Sequence, residues 1–156
     1  MKSCSLELIL FCLLFLQSDC IVDSKMLEAV AQPLVEKDLP IRLKAHVVEL
    51  SHNIGERNLW FYKNLNKAAQ YIIGQFKEFG YEVELQSYTL DDKEFSNIIA
   101  TKKGIKSPKQ IIVVGAHYDT VMGSPGADDN ASGVAGLLEL ARLISKAPID
   151  KTIKFI

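Results

Sequence analysis

A strand, a loop, a helix and a second strand follow one another between residues 111 and 156, and this order constrains the fold most. The first strand is predicted at Ile111-Ile112-Val113-Val114, a continuous β-branched run that is typical of a strand buried on both faces. An amphipathic helix is predicted at 132–146 and an apolar strand at 152–156. A strand–helix–strand order indicates parallel pairing, so we predict an α/β fold whose sheet ends at the last strand with an unpaired edge.

Two helices and a hairpin are predicted upstream of this unit. One helix begins at Asp38-Leu39-Pro40, where proline suits the first turn, and another runs from Asn58 to a C-terminal cap at Gly80. Residues 81–86 alternate between apolar and polar, which indicates a half-buried strand, and a turn joins them to a strand at 95–101. These two strands are predicted to form a hairpin at the edge of the sheet.

The first twenty residues have the layout of a secretory signal peptide. Lys2 precedes an apolar run at 8–16, and polar residues that include the small Ser18 follow the run. The run is too short to span a bilayer, which takes about 20 apolar residues. We therefore predict a signal peptide at 1–20, a helical lead-in at 21–39, and a secreted or periplasmic protein without a stable membrane anchor.

Charge and cysteine content restrict the ligands that the rest of the chain can bind. Without its first 20 residues the chain has 17 basic and 17 acidic side chains, so it has no basic field that would attract nucleic acid. All three cysteines lie within those 20 residues, which excludes a cysteine zinc site elsewhere, and any metal must be held by His, Asp and Glu. His46 and His52 are expected to be surface or helix-end histidines, because neither has an acid at metal-site spacing.

The loop after the β-branched run carries the candidate site. His117 follows the strand, Asp119 is placed to hydrogen-bond one imidazole nitrogen, and Asp128 and Asp129 lie at the turn into the next helix. Ligands collect at the carboxyl ends of strands in open α/β sheets, so these groups can meet at one point. A His-x-Asp pair alone is also common in salt-bridged loops. A phosphate site is disfavoured, because there is no G-x-G-x-x-G motif and adjacent acids would repel phosphate.

The stretch from Gly115 to Gly133 and the following helix, Val134 to Arg142, closely resemble the M28 family of zinc-dependent aminopeptidases. The resemblance extends upstream and covers residues 40–156, through Arg57, the helix that ends at Gly80-Tyr81-Glu82-Val83, and Asn97-Ile98-Ile99-Ala100. It implies a three-layer α/β/α mixed sheet of the zinc-exopeptidase kind. The chain would hold the N-terminal part of this peptidase domain and be incomplete at the C-terminus.

The resemblance also implies a role for each site residue. His117 matches a histidine that ligates one zinc, and Asp129 matches the acid that bridges two zinc ions. Asp119 matches the acid that orients the histidine, whereas Asp128 matches no functional acid. The family's cis peptide falls at Asp129–Asn130, and the implied cofactor is Zn²⁺, with two ions in an intact site.

Four further groups of the family have no match in this sequence. They are a general-base glutamate, a zinc-ligating glutamate beside it, another acid and a C-terminal histidine, all expected after Ile156. The resemblance therefore implies an aminopeptidase acting on peptide substrates, present as a fragment that is not expected to be active alone. Two alternatives are a non-catalytic remnant, which binds metal weakly or associates with a complementary C-terminal half, and an acyltransferase relative of the glutaminyl cyclase kind. The short loop from His117 to Asp129 favours the aminopeptidase over the cyclase.

Overall fold

Three α-helices and a four-stranded sheet make up residues 37–156, the part of the chain that the computed structural model describes. The predicted signal peptide at 1–20 and nearly all of the predicted lead-in at 21–39 lie outside the described residues. In chain order the elements are α1 (Leu39–Val48), a wider helical turn (Glu49–Ile54), α2 (Tyr62–Glu78), β1 (Val83–Leu90), β2 (Lys93–Lys102), β3 (Ser107–Val114), a second wide turn (Ala127–Ala131), α3 (Ser132–Ile144) and β4 (Lys151–Phe155).

The strands run in the order β1-β2-β4-β3 across the sheet. β2 pairs antiparallel with both β1 and β4, whereas β3 and β4 are parallel and are connected through α3. The α/β fold with a mixed sheet is thus confirmed. The predicted place of the last strand is wrong. β4 lies inside the sheet, because its backbone groups pair with β2 on one side and with β3 on the other.

The hairpin of β1 and β2 forms one edge of the sheet, as predicted. Asp91 and Asp92 make its two-residue turn with positive φ values of 48° and 57°, which the tightest hairpin turns require. The prediction that β1 is half-buried is wrong, since only Val83 packs on the core and Leu85 is exposed. β1 is the outermost strand, and the helices cover little of it beyond its first residue.

One hydrophobic core joins the three helices to one face of the sheet. Phe155 of β4 is fully buried, and its ring lies 6.2 Å from that of Phe76 and 5.8 Å from that of Tyr81, measured between centroids. The inward residues predicted for α3 are all buried: Val134, Leu137, Leu138, Ala141 and Ile144. Residues 37–156 thus show two layers, helices on strands, of the three that the resemblance implies.

β3 is far more exposed than its composition predicts. Ile111, Ile112 and Val113 expose 54%, 46% and 60% of their surface, so the prediction of a strand buried on both faces is wrong. The reason is the position of the strand. β3 is the outer strand on the side away from the hairpin, and among the described residues only β4 pairs with it. An apolar strand edge is therefore open in this part of the chain.

Local backbone contacts set the ends of the helices. α1 begins with a proline in its first turn, as predicted. α2 begins at Tyr62 rather than at Asn58, because the Asn58 side chain accepts hydrogen bonds from the backbone N–H groups of Trp60 and Phe61. Gly80 follows α2 with a φ of 87°, the left-handed cap predicted there. No helix within residues 37–156 is long and apolar enough to cross a membrane.

Candidate metal centre

The candidate site begins where β3 ends. Beyond Val114 the chain continues beside β4, since Ala116 N–H donates to the carbonyl of Ile156 at 2.9 Å and Ile156 N–H donates to Val114 at 2.9 Å. His117 therefore lies at the carboxyl edge of the sheet, where ligands of α/β proteins collect. Its Nδ1 lies 3.0 Å from Oδ1 of Asp119, and both side chains are more than half exposed.

Asp129 approaches the other nitrogen of the same imidazole. His117 Nε2 lies 2.9 Å from Asp129 Oδ1, so the structure brings together the three residues predicted for the site. The carboxylate of Asp128 makes no ion pair within residues 37–156, and its backbone carbonyl accepts a hydrogen bond from Ser132 Oγ at 2.8 Å. When Asp119 accepts the Nδ1 proton, the lone pair of Nε2 faces Asp129, which is the tautomer that a metal ligand needs.

The chemistry and spacing of this pair fit Zn²⁺. Ligand atoms at about 2.0–2.2 Å from a tetrahedral zinc lie roughly 3.4 Å from each other. The 2.9 Å between His117 Nε2 and Asp129 Oδ1 is a few tenths of an ångström short of that value, and both side chains are exposed enough to rotate. Residues 37–156 hold no group of three or more His, Cys, Asp or Glu placed to bind a metal. This part of the chain thus offers two ligands and one orienting carboxylate.

The turn at Ala127–Ala131 directs Asp129 towards the histidine. Gly126 precedes the turn with a φ of 60°, and a Cβ there would clash with the Asp129 carbonyl, so the position requires glycine. The peptide bond between Asp129 and Asn130 is cis, as the family resemblance implies. Asn130 Oδ1 accepts the backbone N–H of Gly133 at 3.1 Å, which satisfies a donor in the first turn of α3.

Arg57 also contacts the site loop, although the sequence indicated it only through the family resemblance. Its side chain is fully buried and donates to backbone carbonyls at both ends of the loop, on Tyr118 and Gly126. Beside it, Glu56 Oε1 accepts the N–H of Gly123 at 2.8 Å. These carbonyl partners lie 61 and 69 residues away in the chain, and no local pattern marks such an arginine.

A cavity of about 580 Å³ opens beside the histidine. One side is formed by His117, Tyr118 and Asp119, and the remaining walls are mostly apolar, with Leu65, Ile72, Phe95, Ile98, Val134 and Leu137 among them. Burial raises the pKa of Tyr118, whose hydroxyl donates to the carbonyl of Ser96 at 3.0 Å, so this phenol is neutral near pH 7. An apolar cavity with a few polar groups at one side is the usual form of a small-ligand pocket.

His46 does not lie on the surface. It lies in the last turn of α1, so the prediction of a helix-end position is correct, but its side chain is buried. Its Nδ1 lies 2.6 Å from Tyr71 Oη, and its Nε2 lies 3.2 Å from Glu139 Oε1. The expectation failed because its acid partner is 93 residues away, on α3, where local spacing cannot reveal it. His52 is exposed, as predicted.

Residues 97–156, which hold β3, the site loop, α3 and β4, match the model of peptidase family M28. The chain is 39% identical over 113 residues to the uncharacterised protein YfbL of Escherichia coli. It is 43% identical over 98 residues to the aminopeptidase YwaD of Bacillus subtilis. These alignments take in 67% and 58% of this chain but 34% and 22% of the two relatives. The chain therefore spans about a third or less of the length of these curated relatives.

Solved structures share the fold. A zinc aminopeptidase from Bacillus subtilis superposes with a TM-score of 0.66 at 17% identity, over 73% of this chain and 60% of its own. A glutaminyl cyclase from Bacteroides thetaiotaomicron superposes with a TM-score of 0.58 at 26% identity, over 76% of this chain and 44% of its own. The architecture described above is thus common to proteins named for peptide hydrolysis and for cyclisation.

Proposed function

Since the segment from residue 97 to residue 156 belongs to peptidase family M28, we propose that this chain is part of a zinc aminopeptidase that removes N-terminal residues from peptides. One observation carries the proposal. The two nitrogens of His117 each face a carboxylate, Asp119 at 3.0 Å and Asp129 at 2.9 Å, at the carboxyl edge of the sheet. The 43% identity to a Bacillus subtilis aminopeptidase supports the same reaction class.

His117 and Asp129 would hold zinc in this enzyme, and Asp129 would serve both of the two ions expected in an intact site. Asp119 holds the proton on Nδ1 of the imidazole, which keeps Nε2 available and raises its basicity as a ligand. Bound zinc supplies Lewis-acid chemistry, because it lowers the pKa of a coordinated water and polarises the peptide carbonyl. The residues of this chain thus build one side of the reaction centre.

The other side would come from additional polypeptide. Hydrolytic zinc sites have three protein ligands and an open position, and this region offers two ligands. The curated relatives are about three times as long as the matching region or longer. We infer that a glutamate base and the remaining ligands belong either to a continuation of this polypeptide or to a separate, complementary C-terminal half, which would be its partner.

Zinc titration of the 156-residue chain tests the proposal. We expect weak binding that shifts the NMR signals of the His117 ring, because two ligands hold zinc less firmly than three. His117→Ala and Asp129→Asn should abolish the site, whereas the exposed His52 gives a matched control, His52→Ala, that leaves it unchanged. The chain alone should hydrolyse no leucyl-anilide substrate, with or without added zinc.

Two results would contradict the proposal. If zinc does not shift the NMR signals of the His117 ring, the proposed metal site is wrong. Robust leucyl-anilide hydrolysis by the 156-residue chain, abolished by Asp129→Ala, would show that its site is complete and needs no further polypeptide.

Glutaminyl cyclisation is the second candidate, because a glutaminyl cyclase shares 26% identity with the superposed region. The two activities are distinguished on the protein completed by its additional polypeptide. An aminopeptidase releases leucine from an N-terminal leucyl peptide, whereas a cyclase releases ammonia from an N-terminal glutaminyl peptide and leaves the leucyl peptide intact. The short loop between His117 and Asp129 leads us to expect the first result.

We also propose that the protein is exported by a signal peptide at residues 1–20. The support is the sequence itself, with Lys2 before the apolar run at 8–16. N-terminal sequencing of the protein made in its own cells should begin close to residue 21. A mature protein that still begins at Met1 would overturn this assignment.

A further inference from the structure

Arg57 is a fully buried cation that makes no ion pair with any other residue of 37–156. Its guanidinium makes five hydrogen bonds, all to backbone carbonyls, and no carboxylate within residues 37–156 forms a salt bridge with it. Burial lowers the pKa of this guanidinium and the charge of Asp119 opposes that effect, yet an arginine stays protonated in a protein. A charged group held without a counter-ion has to be compensated by dipoles, here by carbonyl oxygens.

The carbonyls that Arg57 binds lie at the two ends of the site loop. Nε donates to Tyr118, the residue between His117 and Asp119, at 2.6 Å. Nη1 donates to Pro125 at 2.7 Å and Nη2 donates to Gly126 at 3.0 Å, directly before the turn that carries Asp129. One planar group thus fixes the distance between the two ends of the loop.

The remaining contacts anchor the arginine itself. Nη1 also donates to Leu50 at 3.1 Å and to Gly55 at 3.2 Å, on the segment between α1 and α2. The backbone of Arg57 pairs with Thr120, with its N–H 3.1 Å from Oγ1 and its carbonyl 2.9 Å from the Thr120 N–H. The loop is therefore tied to a part of the fold that is packed independently of any ligand.

Space around the guanidinium is also closed. A Cβ on Gly126 would lie 3.3 Å from Nη2 of Arg57, tighter than ordinary packing, besides clashing with the Asp129 carbonyl. The guanidinium and the turn at 127–131 are thus closely packed, so a change in the position of one displaces the other.

We propose that Arg57 is a positioning residue for the metal centre: it holds His117 and Asp129 at a coordinating separation by binding both ends of the loop between them. The inference depends on the proposed zinc site. Arg57 touches neither ligand side chain and acts through the backbone of Tyr118, Pro125 and Gly126. Without it, the thirteen residues from His117 to Asp129 would have to find the coordinating arrangement when zinc binds, at an entropic cost.

Zinc affinity and loop protection in Arg57→Ala test this inference on the 156-residue chain. We expect the zinc dissociation constant, read from the His117 ring signals, to rise roughly 10- to 100-fold, as when a supporting residue of a metal ligand is lost. Hydrogen exchange should speed up at residues 118–126 and stay unchanged in β1 and β2. Arg42→Ala, on the exposed surface of α1, is the matched control and should change neither measurement.

Chemical rescue separates positioning from a general loss of structure. Methylguanidinium fits the space left by the removed side chain, so millimolar amounts should restore most of the zinc affinity of Arg57→Ala and have no effect on Arg42→Ala. If Arg57→Ala does not fold, Arg57→Lys serves instead. It keeps the charge but cannot reach both loop ends at once, so we expect it to fold, to bind zinc more weakly, and to show faster exchange at 118–126.

Two outcomes would overturn the inference. In the first, the Arg57 variant binds zinc as tightly as the unmodified chain and shows the same hydrogen exchange at 118–126. In the second, a folded Arg57→Ala variant loses zinc affinity and methylguanidinium does not restore it. Failure of the proposed function would look different. In that case the unmodified chain would bind no zinc at His117, while exchange at 118–126 would still report whether Arg57 holds the loop.

Discussion

Two tyrosines that pack in the hydrophobic core each have one hydrogen-bond partner for the hydroxyl group. Tyr81 donates its hydroxyl proton to the carbonyl of Ala141 at 2.8 Å, and Tyr71 Oη lies 2.6 Å from His46 Nδ1. Burial raises the pKa of Tyr81 to about 12. Burial, followed by the charges of Glu49, Glu78 and Glu139, raises the pKa of Tyr71 to about 12 as well.

These two tyrosines predict a loss of stability at alkaline pH. Below about pH 10 both phenols are neutral in the folded and in the unfolded chain. Between about pH 10 and pH 12 the tyrosines of the unfolded chain lose their protons first, because their pKa is lower there. The free energy of the unfolded chain therefore falls relative to that of the folded chain. The free energy of unfolding in urea should decline across this range, by at most about 1.4 kcal/mol per pH unit for one tyrosine.

Tyr71→Phe and Tyr81→Phe separate this effect from general alkaline denaturation. Each variant should lose part of the slope between pH 10 and pH 12, and phenol absorbance should show delayed ionisation in the folded protein. An unchanged slope in both variants would contradict the assignment.

Whole elements show what periodicity can and cannot predict. The five inward residues of α3 are predicted correctly, because the spacing of apolar residues along a helix shows which face is buried. β3 was predicted to be buried because of its β-branched composition, but composition does not say whether a neighbouring element covers the strand. The prediction of a surface position for His46 is wrong for a related reason, because its partner Glu139 belongs to another element.

The edge of β3, which is unpaired among residues 37–156, predicts self-association of the 156-residue chain. Exposed apolar strands with unpaired edges template pairing between molecules, so we expect concentration-dependent aggregation in light scattering and ready proteolysis. Val113→Lys places a charge on this strand and should slow aggregation severalfold. Ile41→Lys alters an equally exposed apolar residue on α1 and should slow it little.

A monomer with a sharp, cooperative thermal transition would count against this prediction. So would equal aggregation rates for Val113→Lys and Ile41→Lys, because the edge of β3 would then not be the site of association.

At the scale of the whole molecule, the fold class and the closeness of His117, Asp119 and Asp129 could be predicted, whereas the order of strands could not. His117, Asp119 and Asp129 are close together in the chain, so one short sequence motif is enough to predict that their side chains meet. β4 instead pairs with β2, about fifty residues earlier, and such pairing leaves no mark on local periodicity. Arg57 shows the same limit, since its partners are carbonyl groups that every residue possesses.

The position of β4 has a consequence for biosynthesis. β2 and β3 share no pairing and are joined only through β4, which comes after both in the chain. On the ribosome, the hairpin, β3, the site loop and α3 are all synthesised before the strand that unites them. The backbone bond from Ala116 to Ile156, next to His117, forms later still. Until residues 151–156 emerge, the edges of β2 and β3 that later pair with β4 are both open, and the growing chain is then exposed to chaperones and proteases.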